Sequence, residues 1–174
     1  MAVLPLLRFP DKRLRIKAAA VAEINHATRT IVQDLLDTMY AESGIGLAAT
    51  QVNLHQQIVV IDLSDSQEQP QVFINPRLIT QSGSTSIREG CLSVPDVRAL
   101  VPRASQITVR AFNAQGCPFE LQAEGLLAIC LQHEIDHLNG TLFIDYLSSL
   151  KRQRLHQRFT KMAKQQAALV TQER

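Results

Sequence analysis

Two histidines four residues apart, the first followed directly by a glutamate, stand in His133-Glu134-Ile135-Asp136-His137. The segment around them, residues 124 to 138, reads as one helix that Asn139-Gly140 terminates. On a helix, an i, i+4 pair shares one face with Cβ atoms about 5–6 Å apart, close enough for both imidazoles to hold one metal ion. Glu134 projects to the side, where it can reach a water on that ion without ligating it. By composition alone this pattern arises in on the order of one chain in several hundred of this length. The alternative reading is a pair of satisfied core or surface histidines.

Two imidazoles leave a catalytic metal site one protein ligand short. Downstream of His137 no histidine occurs before His156, and the only nearby acid is Asp145. The better candidate lies upstream, in Arg88-Glu89-Gly90-Cys91-Leu92-Ser93-Val94-Pro95. There Cys91 falls between a Ser/Gly-rich loop and a strand, and Gly90 is expected to let the backbone turn tightly and present the thiolate. A lone cysteine is otherwise a small buried residue, and Cys117 and Cys130 are read that way, Cys130 as an apolar wall one turn before His133. An odd cysteine count without a secretory leader points to a reducing cytosol and argues against a disulfide framework. The opening MAVLPLLRFP is broken by Pro5, Arg8 and Pro10 and reads as an extended arm or edge strand. No membrane segment is expected, because the longest membrane-like run, residues 126 to 131, has six residues where a span needs about twenty.

At 174 residues the chain suits one domain, which buries roughly 70% of the surface of its unfolded chain. Residues 23 to 42 carry Ile24, Ile31, Leu35 and Met39 at helical spacing, and Gly44 stops that helix. Gly44-Ile45-Gly46-Leu47-Ala48-Ala49-Thr50-Gln51 follows, with glycines that permit an unusual backbone path, the close approach of another segment, or simply a helix-to-strand turn. Strands are expected at residues 58 to 61, 72 to 74 and 107 to 112, the last pairing across Ala114-Gln115-Gly116 with residues 118 to 122. Residues 142 to 147 can form one more strand before Ser148 or Ser149 caps a last helix. Short strands in hairpin succession imply a largely antiparallel arrangement.

Three of these segments, Gly44 through Gln51, Glu89 through Pro95 and Gln132 through Gly140, strongly resemble the signature motifs of the peptide deformylases in order, spacing and nearly every letter. The match is to the bacterial type and extends over residues 6 to 150; Arg88, Val94 and Ile135 are small departures that alter no reactive group. The resemblance implies an α+β fold in which antiparallel sheets surround the central HExxH helix, with an N-terminal and a C-terminal helix. It implies removal of the formyl group from the N-terminal methionine of nascent chains in the cytoplasm. Carried onto this chain, Cys91, His133 and His137 ligate the metal, Glu134 shuttles the proton, and the Gln51 side chain and Leu92 backbone N–H hold the developing oxyanion. Ile45, Ile87, Leu126, Ile129 and Cys130 would form the slot for a methionine-like side chain, the backbone at Gly46 would pair with the peptide, and Glu89 is carried over as a pocket residue. Asp136 is expected to pair with Arg103 behind the metal. The ligand types suit Fe(II), Zn, Ni or Co, and the resemblance favours Fe(II) with air sensitivity. A metallopeptidase with an open cleft, or a non-enzymatic zinc protein, are the competing readings.

The net charge of +2 conceals an asymmetry, since residues 151 to 174 hold seven Lys/Arg against one Glu, leaving eleven against fifteen in residues 1 to 150. The expected organisation is a catalytic domain over residues 1–150 with a basic amphipathic helix, 151–174, packed on it. Leu155, Phe159, Met162 and Leu169 form its apolar stripe, while Lys151, Arg154, Arg158 and Lys161 share an adjoining face. That face is either a solvated surface or a contact for ribosomal RNA or protein near the exit tunnel, the latter suggested by the resemblance.

Overall fold

A computed structural model gives the backbone of residues 2–172, with side chains through Ala163 and that of Gln165. Ten main elements follow the chain: α1 (His26–Ala41), β1 (Gly46–Ala48), β2 (Ile58–Ile61), β3 (Gln71–Ser82), β4 (Thr85–Cys91), β5 (Val94–Arg103), β6 (Gln106–Phe112), β7 (Pro118–Glu124), α2 (Gly125–Leu138) and α3 (Ser149–Gln172). Antiparallel pairing joins five strands in the order β1-β2-β3-β6-β7, and β4-β5 form a separate hairpin. The expected α+β arrangement is the observed one, with α2 packed against β1, β2, β6 and β7.

The run Ile58-Val59-Val60-Ile61 is fully buried because the sheet is covered on both sides. Successive side chains of a strand point to opposite faces. Val59 and Ile61 join the core beneath α2, together with Phe73, Leu131 and Ile135, whereas Ile58 and Val60 join the core beneath α1, with Leu35, Met39 and Leu47. A strand with two apolar faces reads as continuous hydrophobicity rather than alternation. Helix α1 begins at His26, three residues later than its periodicity suggests, because the Asn25 side chain caps it by accepting from the Thr28 N–H at 3.2 Å.

Three local expectations are corrected. Residues 142 to 147 form no strand; Phe143–Tyr146 is a 3-10 turn, stabilised because the Asp145 carboxylate accepts from the Leu142 N–H at 2.8 Å and is itself ion-paired with Arg15. Gly90 makes no tight turn, since it sits at an irregularity in the β4–β5 ladder, its φ is not positive, and an added Cβ would meet the Arg98 side chain at an ordinary 3.6 Å. Cys117 is exposed rather than core, because the β6–β7 turn that places it is closed by Asn113 on the outside of the sheet.

A third core lies between the chain ends. Leu7 and Phe9 of the N-terminal arm pack with Val94, Val101, Phe143 and Phe159, and the Phe9 and Phe159 rings meet edge-on at 5.6 Å. Of the expected stripe on α3, Phe159 is buried and Leu155 partly buried, Met162 is 39% exposed, and the Leu169 side chain lies outside the described residues. No described helix is long and apolar enough to cross a membrane.

Helix α2 stops where Gly140 takes φ +74, and a Cβ there would collide with the Arg15 carbonyl group. Gly140→Ala is therefore expected to destabilise the protein by about 2 kcal/mol or more, from left-handed strain plus displaced backbone; urea unfolding against wild type at equal metal content checks this.

Candidate metal centre and active site

Cys91 ends β4 at a two-residue turn, where it pairs with Val94, while His133 and His137 lie one turn apart in α2. The ligand atoms of these three all fall within 4.8 Å of one another. His133 Nε2 and His137 Nε2 are 3.3 Å apart, and Cys91 Sγ is 3.1 Å from His137 Nε2. Two nitrogens each about 2.0–2.1 Å from one tetrahedral ion stand about 3.4 Å apart, so the imidazoles are already spaced to share one. Among the described residues two buried side-chain atoms lack a hydrogen-bond partner, Glu134 Oε2 and His137 Nδ1. A buried carboxylate oxygen left unpaired beside a sulfur and two nitrogens is costly unless a ligand or water satisfies it. The donor set and the orphaned oxygen both fit a divalent metal ion.

Behind the cluster runs a chain of charges. His133 Nδ1 lies 2.9 Å from Glu89 Oε2; a carboxylate can only accept, so Nδ1 carries the hydrogen and Nε2 is left for ligation. Arg103, 3% exposed in its side chain, donates through Nε and Nη2 to both Glu89 oxygens at 2.8 and 3.0 Å, and through Nη1 to Asp136 Oδ2 at 2.5 Å. Burial raises the Glu89 carboxyl, but hydrogen bonds from His133 and Arg103 outweigh it and hold the group below its usual range. Burial likewise opposes the Arg103 charge, yet its two carboxylates push its pKa up. Glu134 has no such cation bonded to its carboxylate, and burial drives its carboxyl up to about 7. A carboxyl held near neutrality is of the kind suited to acid–base work.

A cavity of about 640 Å³ opens beside Cys91, His133 and Glu134. The five apolar residues expected in a side-chain slot, Ile45, Ile87, Leu126, Ile129 and Cys130, all stand on its wall with Gly46, Gln51 and Leu92. Glu89 also borders it, but both its oxygens are turned to Arg103 and His133. Gly46 has no room for a side chain, since a Cβ would lie 2.7 Å from Glu134 Oε1 and 2.8 Å from Cys130 Sγ. The segment whose approach this glycine permits is α2.

The polypeptide deformylase family model matches residues 3–153. The chain belongs to the polypeptide deformylase family. Among solved structures, the peptide deformylase of Legionella pneumophila is 43% identical, with 95% of this chain and 98% of that one aligned at a TM-score of 0.89. The peptide deformylase of Ehrlichia chaffeensis, solved with actinonin, is 38% identical over 93% of this chain and 98% of that one, again at 0.89. That of Synechococcus elongatus, also with actinonin, is 39% identical over 91% and 86%, at 0.83. The activity of the family, removal of the N-formyl group from nascent polypeptides by a metal-dependent hydrolase, is the activity of this chain.

Some residues of this deformylase site escaped the sequence. Tyr146 donates to Asp136 Oδ2 at 2.9 Å, and the Arg103 guanidinium lies 4.9 Å from its ring centre. Gln132, beside the first histidine, clamps the Ala104 backbone in both directions at 2.9 and 3.0 Å. Val97 and Arg98 of β5 join the cavity wall. For Val97 and Arg98 the available signal was the short alternation Val97, Ala99, Val101, which Leu100 and the flanking prolines obscure.

Arg103→Ala leaves two carboxylates without their cation and is expected to cost roughly 3–5 kcal/mol of unfolding free energy in urea. Because the folded-state pKa of Glu89 is depressed, its contribution is present above its unfolded value and lost as pH falls through the folded one. The stability gap between wild type and Glu89→Gln should therefore be widest above about pH 4.5 and close toward lower pH in a urea series.

Proposed function

We propose that Cys91, His133 and His137 hold one divalent ion, Fe(II) physiologically with Zn, Ni or Co able to substitute, and that Glu134 moves the protons of formyl-amide hydrolysis. The observation that carries this reading is the position of Glu134, a buried carboxylate with an unpaired oxygen on the cavity wall beside the three-donor cluster. When bound, such an ion supplies Lewis acidity, lowering the pKa of a coordinated water and polarising a carbonyl. Glu134 takes a proton from the attacking water and returns it to the departing nitrogen, which leaves poorly as an anion. The Gln51 Nε2–H and Leu92 N–H receive the formyl oxygen as it gains charge. A cluster of three protein donors, rather than four, supports an open catalytic position over a closed structural one.

The apolar wall from Ile45 to Cys130 accepts an unbranched, methionine-like side chain. Among the described residues strand β1 is an edge of its sheet, paired with β2 alone, so an extended peptide can add alongside Gly46. Glu89, Arg103 and Asp136 act on His133 from behind rather than on the substrate. The substrate is an N-formylmethionyl nascent chain, which places the work in the cytoplasm. We also propose residues 1–150 as the catalytic unit and the exposed Lys151, Arg154, Arg158 and Lys161 as a contact for the ribosome. Because Phe159 is built into the core with Phe9, removing residues 151–174 would take out a core side chain as well as charge, and charge reversal is the cleaner probe.

Glu134→Gln should keep about one metal per chain but lose at least roughly a hundredfold in formate release from formyl-Met-Ala-Ser. Cys91→Ser, measured in protein prepared without oxygen, should lose tight Fe(II) binding, since a hydroxyl is a poorer ligand than a thiolate. Wild-type turnover in the first variant, or full metal in the second, would overturn the assignment. Arg154→Glu/Arg158→Glu should co-sediment less with ribosomes, with the difference shrinking at high salt, while turnover on short formyl peptides is kept.

A further inference from the structure

The N-terminal arm touches the active site in a way the reaction described above does not use. The Leu7 N–H donates to the Gln51 carbonyl at 2.7 Å, and the Phe9 N–H donates to the Ser93 carbonyl at 2.8 Å. Alternate residues of an extended segment present their N–H groups to the same side, so one strand can grip two neighbours at once. The two residues gripped are Gln51 itself and the residue after Leu92. Ser93 is fully buried, and its Oγ accepts from Gln51 Nε2 at 3.1 Å. The Gln51 Oε1 accepts from the Ala48 N–H at 2.9 Å, which fixes which end of the amide is the donor. One Nε2 hydrogen is thus held by Ser93, and the other is directed at Cys91 Sγ, to which Nε2 donates at a long 3.7 Å on the ligand side of the cavity.

We propose that Leu7, Phe9 and Ser93 are positioning residues for turnover: the arm is a strap that holds the Gln51 and Leu92 donors in register, and the Ser93 hydroxyl sets the plane of the Gln51 amide. The inference rests on the assignment of Gln51 and Leu92 as oxyanion donors. The strap is anchored by its own side chains, since Leu7 and Phe9 are buried and the Phe9 ring sits edge-on to both Phe159 and His156 of α3. Oxyanion donors act through placement, and an error of about 1 Å can cost a hundredfold in rate, so what fixes them matters to kcat more than to binding.

The test is a double-mutant cycle on the metal-loaded, full-length protein, with kcat and KM for formyl-Met-Ala-Ser, metal content and melting temperature read for each variant. Ser93→Ala is expected to lower kcat about tenfold with KM changed less than about twofold and metal unchanged. In a Gln51→Ala background the same change should lower kcat less than about twofold, because the group it positions is gone. Phe9→Ala is expected to behave like Ser93→Ala, and Phe9→Leu, which keeps an apolar anchor, to restore kcat to within about threefold of wild type. Equal losses from Ser93→Ala in both backgrounds, or wild-type kcat in that variant, overturn the role of the hydroxyl, and wild-type kcat in Phe9→Ala overturns the strap, both leaving the oxyanion assignment intact. Wild-type kcat in Gln51→Ala overturns that assignment and the strap with it. Should Phe9→Ala fail to fold, Leu7→Ala takes its place in the same comparison.

Discussion

Helix α2 runs through the interior with Gln132, His133, Glu134 and His137 all buried, and a buried polar group without a partner costs on the order of one to several kcal/mol. Much of the surrounding structure supplies those partners. The β5–β6 connection offers the Ala104 backbone to Gln132, β4 offers Glu89 to His133, and Arg103 at the end of β5 neutralises Glu89 and Asp136 together. Among the described residues the atoms left without a partner are Glu134 Oε2, on the cavity wall, and His137 Nδ1, on the side of the ring away from Cys91 and His133. Glu134 is the one of these side chains that faces the cavity with an oxygen the surrounding fold leaves unpaired.

Bringing such a helix against a sheet demands close approach on the sheet side. Strand β1 provides it by being small and glycine-led, with Gly46 directly under Glu134 and Cys130. The same strand is an edge, so the residue that lets the helix in also borders the cavity beside an unpaired strand side. One constraint therefore sets both the position of Glu134 and the wall of the cavity. Strands β2 and β3 stiffen that edge from behind by feeding alternate side chains into two cores.

The N-terminal arm bears on the site, and the first turns of α3 bear on the arm. The arm passes over Gln51 and Ser93, and its Phe9 is covered by Phe159 from α3, so the third core joins both termini to the back of the β4–β5 turn. Burying an aromatic ring of this size contributes roughly 2–3 kcal/mol, enough to hold the first turns of α3 whether or not its basic face has a partner. A helix that looks from its charges like an appendage is, up to Phe159, part of the packed body.

The candidate site was largely legible in the residues alone: the spacing of His133 and His137 puts both on one helix face, Glu134 lies beside them by helical geometry, and the resemblance added Cys91 and Gln51, which the fold brings to the same place. The sequence by itself also determined α1, β2, the β6–β7 hairpin and α2, each of which has a period or a turn signal of its own. Tertiary structure decided the rest, because the missing information was pairwise. The β4–β5 hairpin carries only a short alternation, Val97, Ala99 and Val101, broken by Leu100 and flanked by Pro95 and Pro102, so the places of Val97 and Arg98 on the cavity wall and the setting of Gly90 emerged only once the strands were paired. Residues 142 to 147 have strand-like composition but no strand to pair with, and the Asp145 carboxylate turns them into a 3-10 turn. Cys117 and Cys130 are alike as letters, yet one sits on an outer turn and the other under Gly46, since burial belongs to the neighbours a residue meets rather than to the residue. The bond from Glu89 to His133 spans 44 positions, and the arm reaches from Phe9 to Ser93; no local pattern encodes such contacts, because they arise only when separate elements pack.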